Sequence, residues 1–428
     1  MRPTNAAKVG GRITLVGPNV AMEGSISTPD GQTILAAGLQ VGFDSHISSD
    51  ASLRGLDVFV GAVEDPVVGR YAGTVAQSGL VEAERGNITL AGRDLQQDGL
   101  LVSTTSVSLN GRIDLIANYN GISNPRTGNS TGDLFLFKNT GSISLGENSV
   151  IRIVPEYKSK ETTIGTELAL RSQINLTGKT IRLGQGSTVL APNAVVSLMA
   201  GTWLFDDSLP RSTFLKTGGQ FYAESGSVLE VSGSLDVAAP VSQNIIAVDL
   251  RGAELADSPL QREGRLRGLN VQVDIRDAGI YQGDAWIGTP LANIAGFANL
   301  IQRNVGQLTV AGGTINIIAG SSVVVREGAT INVSGGSTKF EAGMVKTTTL
   351  ITADGRLVDI SQAAPDVVYR GIYDGTFVDS NAKFGVSEVY HGALSPSGFR
   401  LDPGSTEGAA GGKLSISAAS MAIDGKLT

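Results

Sequence analysis

Along much of this chain apolar and polar positions alternate in short runs, and a glycine precedes many of the runs. The recurring unit is glycine, any residue, isoleucine or leucine, any residue, isoleucine or leucine. It stands at Gly11-Arg12-Ile13-Thr14-Leu15, Gly86-Asn87-Ile88-Thr89-Leu90, Gly111-Arg112-Ile113-Asp114-Leu115 and Gly141-Ser142-Ile143-Ser144-Leu145. It returns at Gly313-Thr314-Ile315-Asn316-Ile317 and Gly412-Lys413-Leu414-Ser415-Ile416. A period of two places the aliphatic residues on one face of a strand, and the glycine supplies the turn that enters it.

The spacing of these strands predicts how they assemble. After Ile13 and Leu15 come Ser25-Ile26-Ser27 and then Thr33-Ile34-Leu35. After Ile88 and Leu90 come Leu100 to Val102 and then Val107 to Leu109. The pattern regains its phase after about 21 residues, as one turn of a β-solenoid requires. One turn cannot bury its own apolar face, but stacked turns bury it in rows. Thr180 to Leu183, Ala194 to Leu198, Val228 to Val231 and the dense run from Leu308 to Val333 fit the same scheme. Asparagine at the corners suits left-handed backbone angles. Sandwiches and antiparallel barrels also alternate, but their strands are longer and do not repeat one unit over most of a chain. The expected fold is therefore all-β: a parallel β-helix (β-solenoid) with two irregular excursions and one short helix.

The expected boundaries are solenoid coils over 1–240, an excursion over 241–305, coils over 306–340, a loop-rich excursion over 341–405, and coils over 406–428 that continue into a missing C-terminal part. The first excursion carries the helix, expected near 290–302. Thr289 suits its cap and Pro290 its first position, and Leu291, Ile294, Phe297 and Ile301 follow at helical spacing. The second excursion concentrates aromatics, among them Tyr369, Tyr373, Phe377, Phe384, Tyr390 and Phe399, with turn signals at Asp354-Gly355, Asp374-Gly375 and Pro396-Ser397-Gly398. At about 4.8 Å per turn, the regular part would extend about 70–90 Å.

Composition sharpens this picture. Of 428 residues, 41% are hydrophobic and 17% charged, with 56 glycines and few aromatics. The net charge of −7 disfavours nucleic acid and anionic membranes as partners. The absence of cysteine excludes disulfides and thiolate metal sites. No leader is visible after Met1, and no run of about 18 apolar residues predicts a transmembrane helix.

Three stretches resemble filamentous haemagglutinin family exoproteins. They are Lys8 to Leu15 running on to Gly31-Gln32-Thr33-Ile34-Leu35-Ala36-Ala37-Gly38, then Leu250 to Arg262, and Thr348 to Ile360. The resemblance implies a right-handed parallel β-helix. It implies export from a Gram-negative cell by two-partner secretion, with an outer-membrane transporter as partner of the full-length protein. It also implies a secreted or cell-surface location and a role in adhesion, aggregation or biofilm formation, through a host-cell, matrix or glycan receptor. The chain lacks the family's leader, a recognisable secretion domain and a terminal toxin, so those roles are not carried over.

Chemistry-bearing residues are few. Only His46 and His391 are present, in unrelated contexts. No catalytic residue, metal ligand or cofactor is assigned. The alternative function is a β-helix polysaccharide lyase or glycoside hydrolase, which needs clustered carboxylates. Asp206 and Asp207 are the nearest to a pair, and Trp203 and Phe205 beside them could stack on a sugar or simply cover the core. The candidate glycan or receptor contacts are Trp203, Asp206, Asp207, Tyr369, Tyr373 and Tyr390. The sequence favours a structural shaft over an enzyme.

Overall fold

The computed structural model describes residues 10–45, 52–65, 67, 69–124, 135–206, 208, 211–215, 217–381, 385–391 and 399–428. The chain is mostly strand, with only one-turn helices among the described residues. It divides into two compact units. The first is Met1–Leu235, Asn304–Ser337 and Gly408–Thr428; the second is Asp236–Arg303 and Thr338–Glu407.

The first unit is built on three separate parallel sheets of eight strands. The chain visits them in turn. Arg12–Gly17 lies in the first sheet, Val20–Met22 in the second and Ser25–Ser27 in the third; Gln32–Ala37 then returns to the first. Eight such cycles fill the sheets. Arg12 pairs with Gln32, 20 positions on, and Arg112 pairs with Gln173 across a longer loop. Eight strands at about 4.8 Å spacing make each sheet only about 34 Å across. That is well short of the extent expected from sequence, because many residues lie in insertions and in the second unit.

Register turns the alternating pattern into continuous rows. In the first sheet Leu15, Leu35, Leu90, Leu115, Leu176, Leu198, Ile317 and Ile416 follow one another in direct register. Beside them runs Ile13, Thr33, Ile88, Ile113, Ile174, Val196, Ile315 and Leu414. Thr33 is the one polar member, and its hydroxyl meets that of Thr28 at 2.9 Å. The second sheet adds Val20, Val75, Leu95, Ile143, Ile181, Phe221, Val323 and Met421. Most of these side chains join one core cluster. Burying each fully is worth about 1.5–3 kcal/mol.

Stacking also explains the glycine of the repeat. A Cβ on Gly31 would fall on the carbonyl oxygen of Gly11 in the cycle before. Corners instead use left-handed residues, with φ 58° at both Asn148 and Asn193.

The copies of the unit do not share one sheet: Gly141 to Leu145 belongs to the second sheet, whereas the other five enter first-sheet strands. Two sequence expectations need correction. Val107 to Leu109 is a bend: the Ser106 hydroxyl accepts from Leu109 N at 3.1 Å and pulls the chain into a turn. Leu308 closes a one-turn helix, Val305–Leu308, held by reciprocal bonds between Asn304 and Gln307.

The second unit combines a three-stranded sheet, in which Val237–Pro240 pairs in parallel with Ser337–Glu341, with small antiparallel sheets around a core of Val248, Leu250, Leu266, Val271, Val273, Leu291 and neighbours. Ile245–Asp249 pairs with Asn270–Asp274, and Ala278–Tyr281 with Asp284–Ile287. Between 290 and 302 the helical backbone is confined to Ala295–Ala298. Thr289 accepts from Leu291 N, but its hydroxyl also donates to Ile360 O, so it ties the segment to the core instead of starting a helix. A further one-turn helix of this unit is Pro259–Arg262, and the first unit holds Val305–Leu308, where one helix was expected in the whole chain.

Candidate functional site

The first unit carries three hairpin insertions at the same place, between first-sheet and second-sheet strands. They occur in the second, fourth and sixth cycles. The first pairs Val41–Ser45 with Leu56–Val60. The next pairs Asn118–Tyr119 with Asn139–Thr140 and Ile122–Ser123 with Phe135–Leu136. The last pairs Thr202–Asp206 with Arg211–Leu215. Insertions on every second strand stand about 10 Å apart, wide enough for one layer of side chains between them.

That layer is aromatic. Phe59 and Phe135 stack at 3.5 Å between ring centroids. Phe137 and Trp203 follow at 5.6 Å, and Trp203 meets the edge of Phe214 at 5.2 Å. The Trp203 indole N–H donates to Asn118 Oδ1 at 3.0 Å, and Lys138 sits over the Phe205 ring. Backbone bonds from Asn120 N to Gly61 O and from Gly121 N to Val60 O join the first two insertions. Leu204, Phe43 and Ile122 face outward.

Trp203 is thus half-buried, its ring packed against Phe137 and Phe214 and its N–H taken by Asn118. Asp206 is also engaged. Its Oδ1 accepts from Ser208 N at 3.0 Å and from Ser208 Oγ at 2.6 Å, and Arg211 lies 3.8 Å away. Asp207, Phe384 and His46 lie outside the described residues. Tyr369 is a core residue of the second unit: it is 3% exposed, and its hydroxyl donates to Ala364 O. Burial pushes its phenol above the ordinary value. It offers no surface to a receptor. Tyr373 is half-buried at the end of Tyr369–Tyr373, and Tyr390 lies in Val386–His391 with its side chain outside the description.

The second unit holds two polar features that the sequence does not announce. One is an ion-pair cluster. Arg276 donates to Asp274 Oδ2 at 2.7 Å and to Asp402 Oδ2 at 2.5 Å, and Arg400 reaches Asp274 at 3.4 Å. The bond to Asp274 holds the Arg276 guanidinium above its usual range, and Arg276 in turn holds Asp402 below the carboxylate range. Asp277 beside them is pushed up, first by burial and then by the negative charge of Asp274.

The other is a cleft of about 320 Å³. Its aromatic wall is the hairpin Ala278–Tyr281/Asp284–Ile287, whose two-residue turn Gln282-Gly283 has positive φ at both positions (50° and 99°). Gly279 pairs with Trp286, and a Cβ there would collide with the indole, so glycine lets the ring lie across the hairpin. Leu291 and Ile294 form the floor, and Glu254, Asp257, Asp284 and Asn293 line the opening. The Tyr281 hydroxyl donates to Asp366 at 2.8 Å, which raises its pKa. Only the Gln282-Gly283 turn between alternating residues hinted at this hairpin. Glu254 and Trp286 meet solely through the tertiary fold.

No family model, curated protein or solved structure is significantly similar to this chain.

Proposed function

We propose that the three parallel sheets are the faces of a right-handed parallel β-helix, and that the chain is part of the shaft of a secreted or surface-exposed adhesin of the filamentous haemagglutinin type. The observation that carries this reading is the stacking of predominantly aliphatic rows in direct register through eight cycles. Such a stack gains stability turn by turn from nearest-neighbour burial and displays insertions at fixed intervals. The insertions and the second unit supply the contact surfaces, and many weak contacts along a shaft add up through multivalency. The sequence resemblance supports the same reading. It adds a Gram-negative exterior, an outer-membrane secretion transporter as partner, a host-cell, matrix or glycan receptor, and a role in adhesion, aggregation or biofilm formation.

The test is binding of the purified chain to immobilised host cells, matrix proteins and glycans, at single copy and when clustered on beads. Binding that strengthens with clustering, without release of sugar fragments, is the expected result. Catalytic cleavage of a polysaccharide would favour the lyase or hydrolase alternative and count against the shaft.

A further inference from the structure

The cleft of the second unit has a composition that restricts its ligand. It combines an indole and a phenol with an aliphatic floor, so it can take the face of a flat or ring-shaped group. Among the described residues three carboxylates line it, and no lysine, arginine or histidine does. A sulfated or carboxylated ligand would meet like charge at the opening. The cleft also holds donors. Among the described residues, no protein acceptor engages the Trp286 indole N–H or the Asn293 amide NH₂, whose Oδ1 is used by Ala295 N. A lysine or arginine side chain would satisfy the carboxylates but offers no acceptor to these donors. A neutral sugar satisfies both, because each hydroxyl donates and accepts.

We propose that this cleft binds a residue of a neutral glycan, with its ring face against Trp286 and its hydroxyls shared among Asp284, Asp257, Glu254 and Asn293. The volume of about 320 Å³ lies at the small end of ligand pockets, so it suits one or two sugar residues. This assignment rests on the adhesin reading only for its biological setting; the chemistry of the cleft stands on its own residues.

Trp286 supplies the readout. The chain has only two tryptophans, Trp203 and Trp286, so two indole N–H signals are expected by NMR, and Trp286→Phe assigns them. The full chain is titrated with neutral oligosaccharides of glucose, galactose, mannose and N-acetylglucosamine. A heparin-derived tetrasaccharide and N-acetyl-lysine amide serve as charged controls. At least one neutral sugar is expected to shift the Trp286 signal and leave that of Trp203 in place. Trp286→Ala should weaken that binding about tenfold or more. Asp284→Asn should weaken it less, and Trp286→Phe should fall between wild type and Trp286→Ala. Thermal melts of each variant separate lost binding from lost folding, and Trp286→Phe keeps the ring if Trp286→Ala unfolds the hairpin. The assignment is overturned if no neutral sugar in the panel moves the Trp286 signal, or if either charged control binds more tightly than every neutral sugar. Adhesion to cells that persists in Trp286→Ala, with no neutral sugar bound by wild type, would remove the cleft and leave the shaft intact.

Discussion

Gln77 and Gln97 lie in direct register on adjacent strands of the second sheet, and Gln97 Nε2 donates to Gln77 Oε1 at 3.1 Å inside the core. Both are 0% exposed. Each amide nitrogen also donates to a corner carbonyl, Gln77 to Gly79 O and Gln97 to Gly99 O. The row they interrupt is otherwise apolar, with Met22 before them and Leu145 after. Replacing Gln97 alone by leucine removes the donor to Gln77 Oε1. It should cost about 1–3 kcal/mol. Replacing both by leucine extends the aliphatic row and should restore much of that loss. Denaturant unfolding of the two single variants and the double variant closes the cycle. A double variant as unstable as the sum of the singles would contradict the ladder.

The glycine that opens the repeat is required by the cycle before it. Gly31→Ala places a methyl group on the carbonyl of Gly11, whereas nothing stands near a Cβ on Gly11 itself. Gly31→Ala should lower the melting temperature by several degrees, and Gly11→Ala by much less. Equal melting temperatures for the two variants would mean that the strands do not stack in this register.

Asp277 has a carboxyl whose folded-state pKa is raised by burial and by Asp274. Its contribution to stability is therefore fully present below the unfolded pKa and lost as pH rises through the folded value. Asp277→Asn removes the cost of the buried charge. It should raise the melting temperature of the second unit at pH about 7, with the gain shrinking as pH falls toward about 4. Asp402 runs the other way. Its pKa is depressed by Arg276, so its contribution is present above the unfolded value and fades only in stronger acid. A gain from Asp277→Asn that does not depend on pH would contradict the assignment.

Val325 sits fully buried between Ala223 and Ile423. Val325→Asp places an unpaired carboxyl in an apolar row and should be severely destabilising. If folding of successive turns outside the cell helps to draw the full-length protein outward, this variant should also lower secreted yield. Normal yield from a destabilised variant would separate export from folding.

The first-sheet strands were legible because Gly-x-Ile-x-Leu combines a turn signal with strict alternation, and the register rows follow from stacking it. The second-sheet strands were harder to see. Val20–Met22 is three residues long, too short to establish a period. Leu308 and Val107 carried the right residue type but the wrong backbone: a capping box took the one and a serine turn the other. The candidate contacts were least legible. In the sequence Trp203 and Tyr369 read as aromatics near loops, yet one packs among the stacked hairpins and the other fills a core. Trp286 and Glu254 looked ordinary, because what joins them is a fold across 32 positions of irregular sequence.

The proposal of one continuous parallel coil is tested most directly by a cross-link between Ser197 and Asn316. They are direct partners in the first sheet although the Asp236–Arg303 segment of the second unit lies between them in sequence. The chain has no cysteine, so Ser197→Cys with Asn316→Cys creates the sole possible intramolecular disulfide. Paired parallel strands bring the two Cα atoms within the range a disulfide spans, about 4.4–6.8 Å. The coil requires that this pair oxidise readily in the folded protein, while Ser197→Cys with Asn175→Cys does so on its other side and Ser197→Cys with Ser415→Cys, two strands away, does not. Failure of the first two pairs, or equal reaction of the third, would contradict the stacked parallel turns on which the proposed function rests.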